Sequence, residues 1–241
     1  QPSLASRLSI HLLLDRTEVF QFLHIQRAIR FGLNNHTTFF ASYPINTARN
    51  VARIFSASRF IAFCDADYIF SAGFYERMLA GLVERSGEPG RNVYFYRIFE
   101  VEQAAARALD YTLSKSDLNE LIERDTARVF HVREWPEGHS VANLTRWLQE
   151  PESSGLFYNM PVSLKERKWW EFQFVGLRTV PFFDEHFPYR LDNNLQLRWE
   201  ICRAGYTMHA INHLFVYHTL DERKGNKDDL AAKTLVKEAN K

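Results

Sequence analysis

The stretch "RFIAFCDADYIFSAGF", Arg59 to Phe74, sets two carboxylates, Asp65 and Asp67, directly after an apolar run. Ile61, Ala62 and Phe63 make a short apolar segment with no clean alternation, which predicts a strand covered on both faces. The acids then stand at its carboxyl end, the edge where the loops of an open α/β sheet diverge and leave a crevice for ligands. Carboxylates one residue apart in a turn can converge on a hard divalent cation that keeps open positions for phosphate oxygens. An Asp-x-Asp by itself more often marks a solvated turn, where acids are ordinary, so its surroundings decide its meaning. Cys64, inside the predicted strand, reads as a packed thiol.

The chain has 241 residues, 46% of them hydrophobic and 15% aromatic, which suits one large globular domain with a sizeable core. Thirty Lys and Arg against 29 acids leave a charge of +1. That balance argues against a nucleic-acid binder, which needs a basic excess to neutralise phosphates. Cys64 and Cys202 supply neither a framework of bridges nor a Cys-x-x-Cys metal spacing. No run is apolar enough for a transmembrane span, and no charged leader precedes a cleavage site. Any membrane anchor is therefore expected outside this chain.

Outward from the opening stretch, the order of elements predicts α/β architecture. "RLSIHLLLD" (Arg7–Asp15) reads as a strand and "EVFQFLHIQRAIRFGL" as an amphipathic helix ending near Gly32. "NTARNVARIFSAS" follows Tyr43-Pro44 and reads as a helix that Asn46 or Thr47 could cap. "SAGFYERMLAGLVER" is a helix with Ser71 as its candidate cap, and "NVYFYRIFEV" (Asn92–Val101) is a strand. Strands alternating with helices imply a mixed, mostly parallel sheet with right-handed crossovers. From Ala104 to about Lys168, loop-like pieces surround a helix at "SKSDLNELIER" and suggest a lobe over the sheet edge. The charged end, residues 222–241, reads as a solvated surface helix.

Three further stretches carry candidate chemistry. In "WPEGHSVANLTRW" (Trp135–Trp147), rings flank His139, Asn143 and Thr145, the mixture of stacking faces and polar groups that a sugar needs; a loop anchored by two core tryptophans is an equal reading. In "PFFDEHFPYRLDNNLQLRWEICRAGY" (Pro181–Tyr206), Asp184, Glu185 and Asp192 precede or begin a helix that Gly205 would terminate, and they could cap it or act as a general base. "INHLFVYHTL" is a strand ending near His218, whose imidazole could complete a metal shell.

The blocks "YPINTARNVAR", "FCDADYIFS", "LSKSDLNELI", "GHSVANLTRW", "FDEHF" and "VYH" occur in the order seen in glycosyltransferase family 49, which the chain resembles from Arg7 to the terminal helix. The resemblance implies a GT-A fold, with a single catalytic domain over 1–241 that lacks the first strand-helix unit of other members. It implies a UDP-sugar donor, Mn²⁺ held by Asp65, Asp67 and His218, and a glycan acceptor on a glycoprotein. It further implies the Golgi lumen and a type II membrane protein. Donor contacts would fall on Asn46, Arg49, Asn50, Arg53 and Asp65, acceptor contacts on His139, Asn143 and Trp147. Where many members carry Gly-Tyr-Gly-aromatic-Asn after the Phe-Asp-Glu block, this chain reads "PYRLDNN", with Asp192 in place of an aromatic. The sequons at Asn35 and Asn143 are compatible with a secretory lumen.

The expected reaction is inverting transfer of glucuronic acid or N-acetylglucosamine. A cation would neutralise charge on the leaving diphosphate. Arg49 and Arg53, at helical spacing, could add donors to a phosphate or a sugar carboxylate, or serve in surface ion pairs. Asp184 and Glu185 are the bases that the resemblance favours, and Asp192 is the one this sequence adds. Two other classes compete: a non-catalytic glycan-binding module on the same fold, and a metal-dependent phosphohydrolase, for which the sequence shows no additional ligand cluster of the kind a two-metal site needs.

Overall fold

The computed structural model describes residues 44–85, 91–139, 141, 143–152, 155–159, 169–187 and 193–220. The expected strand at Arg7–Asp15, the helix ending near Gly32, the Asn35 sequon, Asp192 and the C-terminal helix lie outside the described residues.

In chain order the elements are α1 (Ile45–Ile54), β1 (Phe60–Ala62), β2 (Ile69–Phe70), α2 (Phe74–Glu84), β3 (Asn92–Glu102), α3 (Gln103–Ala108), α4 (Lys115–Glu123) and β4 (Ala127–Val129). There follow α5 (Pro136–His139), α6 (Leu144–Gln149), β5 (Phe157–Asn159), β6 (Phe174–Leu177), α7 (Leu195–Arg203) and β7 (Thr207–Leu220). Contacts divide the chain into two compact units. The larger comprises Arg59–Pro181 and Arg198–Arg223, and the smaller contains, among the described residues, 44–58, 182–187 and 193–197. No helix among the described residues is long and apolar enough to cross a membrane.

The larger unit is a mixed α/β structure whose sheet runs in the order β1-β6-β3-β7-β2, with β4 on β3 and β5 on β7. Its spine is the parallel ladder of β3 and β7, in register from Asn92↔Thr207 to Glu102↔Leu220 with a shift between Phe95 and Arg97. The other described pairings are antiparallel, so the parallel pairing expected of the sheet holds for its central ladder. β4 follows β3 only after α3 and α4 and still pairs with it antiparallel, so strands alternating with helices do not by themselves make a parallel pair. Part of the presumed lobe thus belongs to the sheet, through β4 and β5.

β3 is buried along nearly its whole length, and its alternation builds two cores. Tyr94, Tyr96 and Ile98 meet Phe74, Met78 and Leu82, which lie four residues apart on one face of α2. Phe99 and Val101 meet Leu118 and Leu121 of α4 and the ring of Trp147. Each such side chain contributes about 2 kcal/mol by leaving water. Ser114 caps α4 in a reciprocal box with Asp117.

Several local expectations give way to tertiary demands. Ser71 does not cap α2, whose N-cap is Gly73 at φ +66°; its buried hydroxyl instead accepts from the Phe215 N–H at 3.1 Å, and its own N–H donates to the Phe215 carbonyl. Neither Asn46 nor Thr47 caps α1, which starts behind Pro44 with no side-chain cap. β1 is only half-buried, because it stands at one end of the described strand order, and Cys64 beyond it is exposed rather than packed.

Candidate functional site

Register brings the first pair of functional groups together. β2 runs antiparallel to β7 with Ile69 opposite Tyr217, so the turn before β2 lies beside the residues that follow Tyr217. There Asp67 Oδ2 and His218 Nε2 approach to 3.1 Å, with side chains 66% and 33% exposed. Asp65 takes a different partner: it accepts from the buried Tyr68 hydroxyl, whose pKa rises through burial and through the charges of both acids. Among the described residues, no group of three or more His, Cys, Asp and Glu side chains converges on one point. The metal ligands expected from the sequence therefore reduce, in close approach, to Asp67 and His218. A carboxylate and an imidazole at a solvent-facing edge fit a divalent cation whose other positions go to phosphate oxygens and water.

A ledge of rings adjoins this pair. The Phe130 ring lies 6.0 Å from His218, 5.6 Å from Tyr68, 4.8 Å from His139 and 3.9 Å from His131, the last in parallel stacking. His139, expected to face the acceptor, is 9% exposed and its Nδ1 has no hydrogen-bond partner among the described residues. Burial, with a smaller effect of His131, lowers its pKa to about 4, so the ring is neutral. Gly138 permits this packing, since a Cβ there would meet the Trp135 ring at 2.5 Å. Asn143 is exposed and occupies the left-handed region at φ +61°, which asparagine tolerates. Trp147 corrects the sequence reading. It is 2% exposed, donates from Nε1 to the Ile211 carbonyl, and is flanked by the cations of Arg97 and Lys115, so it packs the core and offers no open face to a sugar.

Sequence reasoning missed Glu100, Arg128 and His131. Glu100 accepts from Arg128 Nε at 2.8 Å and from the His131 N–H at 3.2 Å. The available signal was an acid in the middle of a strongly apolar strand, which needs a buried partner.

In the smaller unit, Asn46, Asn50 and Arg53 recur at i, i+4 and i+7 and form the buried face of α1. The Asn50 amide is paired on both sides with Phe183, its Nδ2 donating to the carbonyl and its Oδ1 accepting from the N–H. The same Nδ2 donates to Glu185 Oε1, and the Thr47 hydroxyl donates to Glu185 Oε2. Asn46 Nδ2 donates to the carbonyls of Asp184 and Asn193. Arg49 stacks over Phe183 and Arg53 over Phe182. These four residues, expected to contact donor, hold the Phe182–Glu185 segment in place. Asp184 Oδ1 accepts from both the N–H and the Nδ1 of His186, which lowers its pKa and keeps it ionised.

Residues 13–240 match the family profile described as "Glycosyl-transferase for dystroglycan". The chain is 28% identical over 219 residues to beta-1,4-glucuronyltransferase 1 of Homo sapiens, covering 91% of this chain and 49% of that protein. With the Danio rerio protein of the same name it shares 26% identity, over 73% of this chain and 40% of the relative. With xylosyl- and glucuronyltransferase LARGE2 of Mus musculus it shares 23%, over 75% and 26%. The chain spans about half the length of the glucuronyltransferases it matches. With the family profile matched along nearly all of its length, the chain belongs to glycosyltransferase family 49.

Proposed function

We propose that this chain moves a sugar, glucuronic acid or N-acetylglucosamine, from a UDP-sugar to a glycan acceptor, with inversion and with a divalent cation such as Mn²⁺. The observation that carries the reading is the approach of Asp67 and His218 to 3.1 Å at an exposed strand edge, in a chain of a glycosyltransferase family. Asp67 and His218 are the residues that would hold the cation, with Asp65 fixed nearby in sequence by Tyr68; when bound, the cation supplies positive charge for the diphosphate that leaves. In the transfer, the acceptor oxygen forms its bond to the anomeric carbon as the bond from that carbon to the diphosphate oxygen breaks, and UDP departs with the electron pair. A carboxylate takes the acceptor proton. Asp184 suits that task better than Glu185: it is held ionised by His186, whereas both Glu185 oxygens already accept from Thr47 and Asn50. The acceptor is read as a glycoprotein glycan, the compartment as the Golgi lumen, and any membrane anchor as lying elsewhere in the protein; these follow from the family reading alone.

The test is UDP release and transfer, measured on the full chain with a panel of UDP-sugars, with Mn²⁺ or with EDTA. Turnover that requires Mn²⁺ and falls at least about a hundredfold in Asp67→Asn is the expected result. Glycan binding without turnover would identify a non-catalytic module, and turnover indifferent to both EDTA and Asp67→Asn would remove the metal assignment.

A further inference from the structure

Glu100 is a carboxylate sunk in the most buried strand of the larger unit, and its side chain is 5% exposed. A buried ion pair with Arg128 is weak evidence of stability, since desolvation offsets the attraction. What the pair does hold is the backbone of His131. Glu100 Oε1 accepts from the His131 N–H at 3.2 Å, and the His131 carbonyl accepts from the N–H groups of Glu134 and Trp135 at 3.1 and 2.8 Å. These bonds fix His131 in the left-handed region at φ +51°, uncommon for residues other than Gly, although Asn, Asp and His enter it more readily than the rest. The Phe130 ring then fixes the imidazole by stacking at 3.9 Å and 14°. The result is an imidazole that is 47% exposed, immobilised on the same Phe130 ring that meets His218. Its ring nitrogens make no hydrogen bond to the protein among the described residues, Nε2 standing 3.9 Å from Glu100 Oε1. A turn that needed only its backbone conformation would be met more simply by Gly or Asn.

We propose that His131 is an acceptor-contacting residue, whose imidazole exchanges a hydrogen bond with a sugar hydroxyl and is held in position by Glu100 and Arg128. The proposal rests on the glycosyltransferase reading. A hydroxyl suits the ledge better than an anion, because the Arg128 charge is matched by Glu100, His139 is neutral, and the Asp67 carboxylate stands beside His218, whose ring meets the same Phe130.

The test uses His131→Gly and His131→Asn in the full chain, since both residues accept φ +51° and folding is spared. The probes are p-nitrophenyl β-xyloside and p-nitrophenyl β-glucuronide, glycosides of the two sugars in the relatives' names. For His131→Gly, transfer to the better glycoside should fall about tenfold or more, the loss of one useful hydrogen bond, chiefly through KM. UDP release without acceptor should stay within about twofold, and the thermal midpoint should hold or rise as backbone strain is relieved. His131→Asn should be intermediate. Unchanged transfer in His131→Gly, or an equal fall in acceptor-free UDP release, overturns the proposal. Should the wild type release no UDP from any donor, the catalytic reading fails separately. Saturation-transfer NMR then decides: glycoside binding lost in His131→Gly supports the contact, and binding unchanged in the variant or absent from the wild type overturns it.

Discussion

His139 shows how one buried side chain carries both a structural cost and a readable signal. Its imidazole is surrounded by the rings of Phe130, His131 and Trp135, and burial holds its pKa near 4 against an ordinary value of about 6.5. Between those two values the unfolded chain binds a proton that the folded chain refuses. Stability therefore falls as pH drops from about 6.5 to about 4, by roughly 3 kcal/mol in all, and is unaffected by this group above that window. His139→Phe removes the titration and keeps the volume, so the difference in urea unfolding free energy between pH 7.5 and 4.5 should shrink by about 2 kcal/mol. An unchanged difference would show that His139 is solvated and titrates normally. At this scale strand ends announce themselves: Asp65, Asp67 and His218 all stand where apolar runs stop, but the resemblance rather than that position singled them out, and the register brings Asp67 and His218 to 3.1 Å. Trp147 could not be placed in the same way, since its partner, the Ile211 carbonyl, lies 64 residues away.

At the scale of elements, legibility follows the range of the interactions. β3 is readable because seven of the ten residues from Asn92 to Val101 are β-branched or aromatic, and α4 because Ser114 and Asp117 close a box within one turn. α1 was found by its periodicity, yet Asn46 does not cap it, and Asn46 and Asn50 bind carbonyls 147 and 133 residues away that no local pattern foretells. The consequence is measurable. Asn50→Ala deletes bonds to both backbone groups of Phe183 and one to Glu185, leaving buried groups without partners, so the loss should be of order 3 kcal/mol. An ordinary surface asparagine costs within about 0.5 kcal/mol. Asn50→Asp should not rescue it, because the new carboxylate loses the donor to Phe183 and faces Glu185. Urea denaturation of both variants tests this, and a loss below about 1 kcal/mol in Asn50→Ala would mean that the clamp is dispensable.

For the whole molecule, the sequence conveyed a mixed α/β fold and the family, but not the division into two compact units. Segments 44–58, 182–187 and 193–197 join one unit although more than a hundred residues separate the first from the rest, and no local pattern announces such an assembly. The mainly parallel sheet was inferred from alternating strands and helices; β4, which pairs antiparallel with β3 although α3 and α4 lie between them, shows that such alternation does not fix strand direction.

Holding the cation and taking the proton are two chemical tasks, read on different residues: Asp67 with His218 for the first and Asp184 for the second. Asp184→Asn keeps an oxygen that can accept from the His186 N–H and so should fold normally. It removes the proton acceptor, which should lower turnover by about a hundredfold or more. Mn²⁺-dependent binding of UDP should be untouched, as read by calorimetry on the same protein. His186→Ala gives the complementary test. It removes the imidazole donor and keeps the backbone N–H, the larger cause of the lowered Asp184 pKa, so that pKa should rise in part and the acid limb of the turnover profile should move modestly to higher pH, with activity at neutral pH largely kept. If Asp184→Asn turns over at near wild-type rate, Asp184 is not the base and the role passes to Glu185 or Asp192. If it instead loses UDP binding together with turnover, the two tasks are not separable, and the assignment of the base to this carboxylate fails with them.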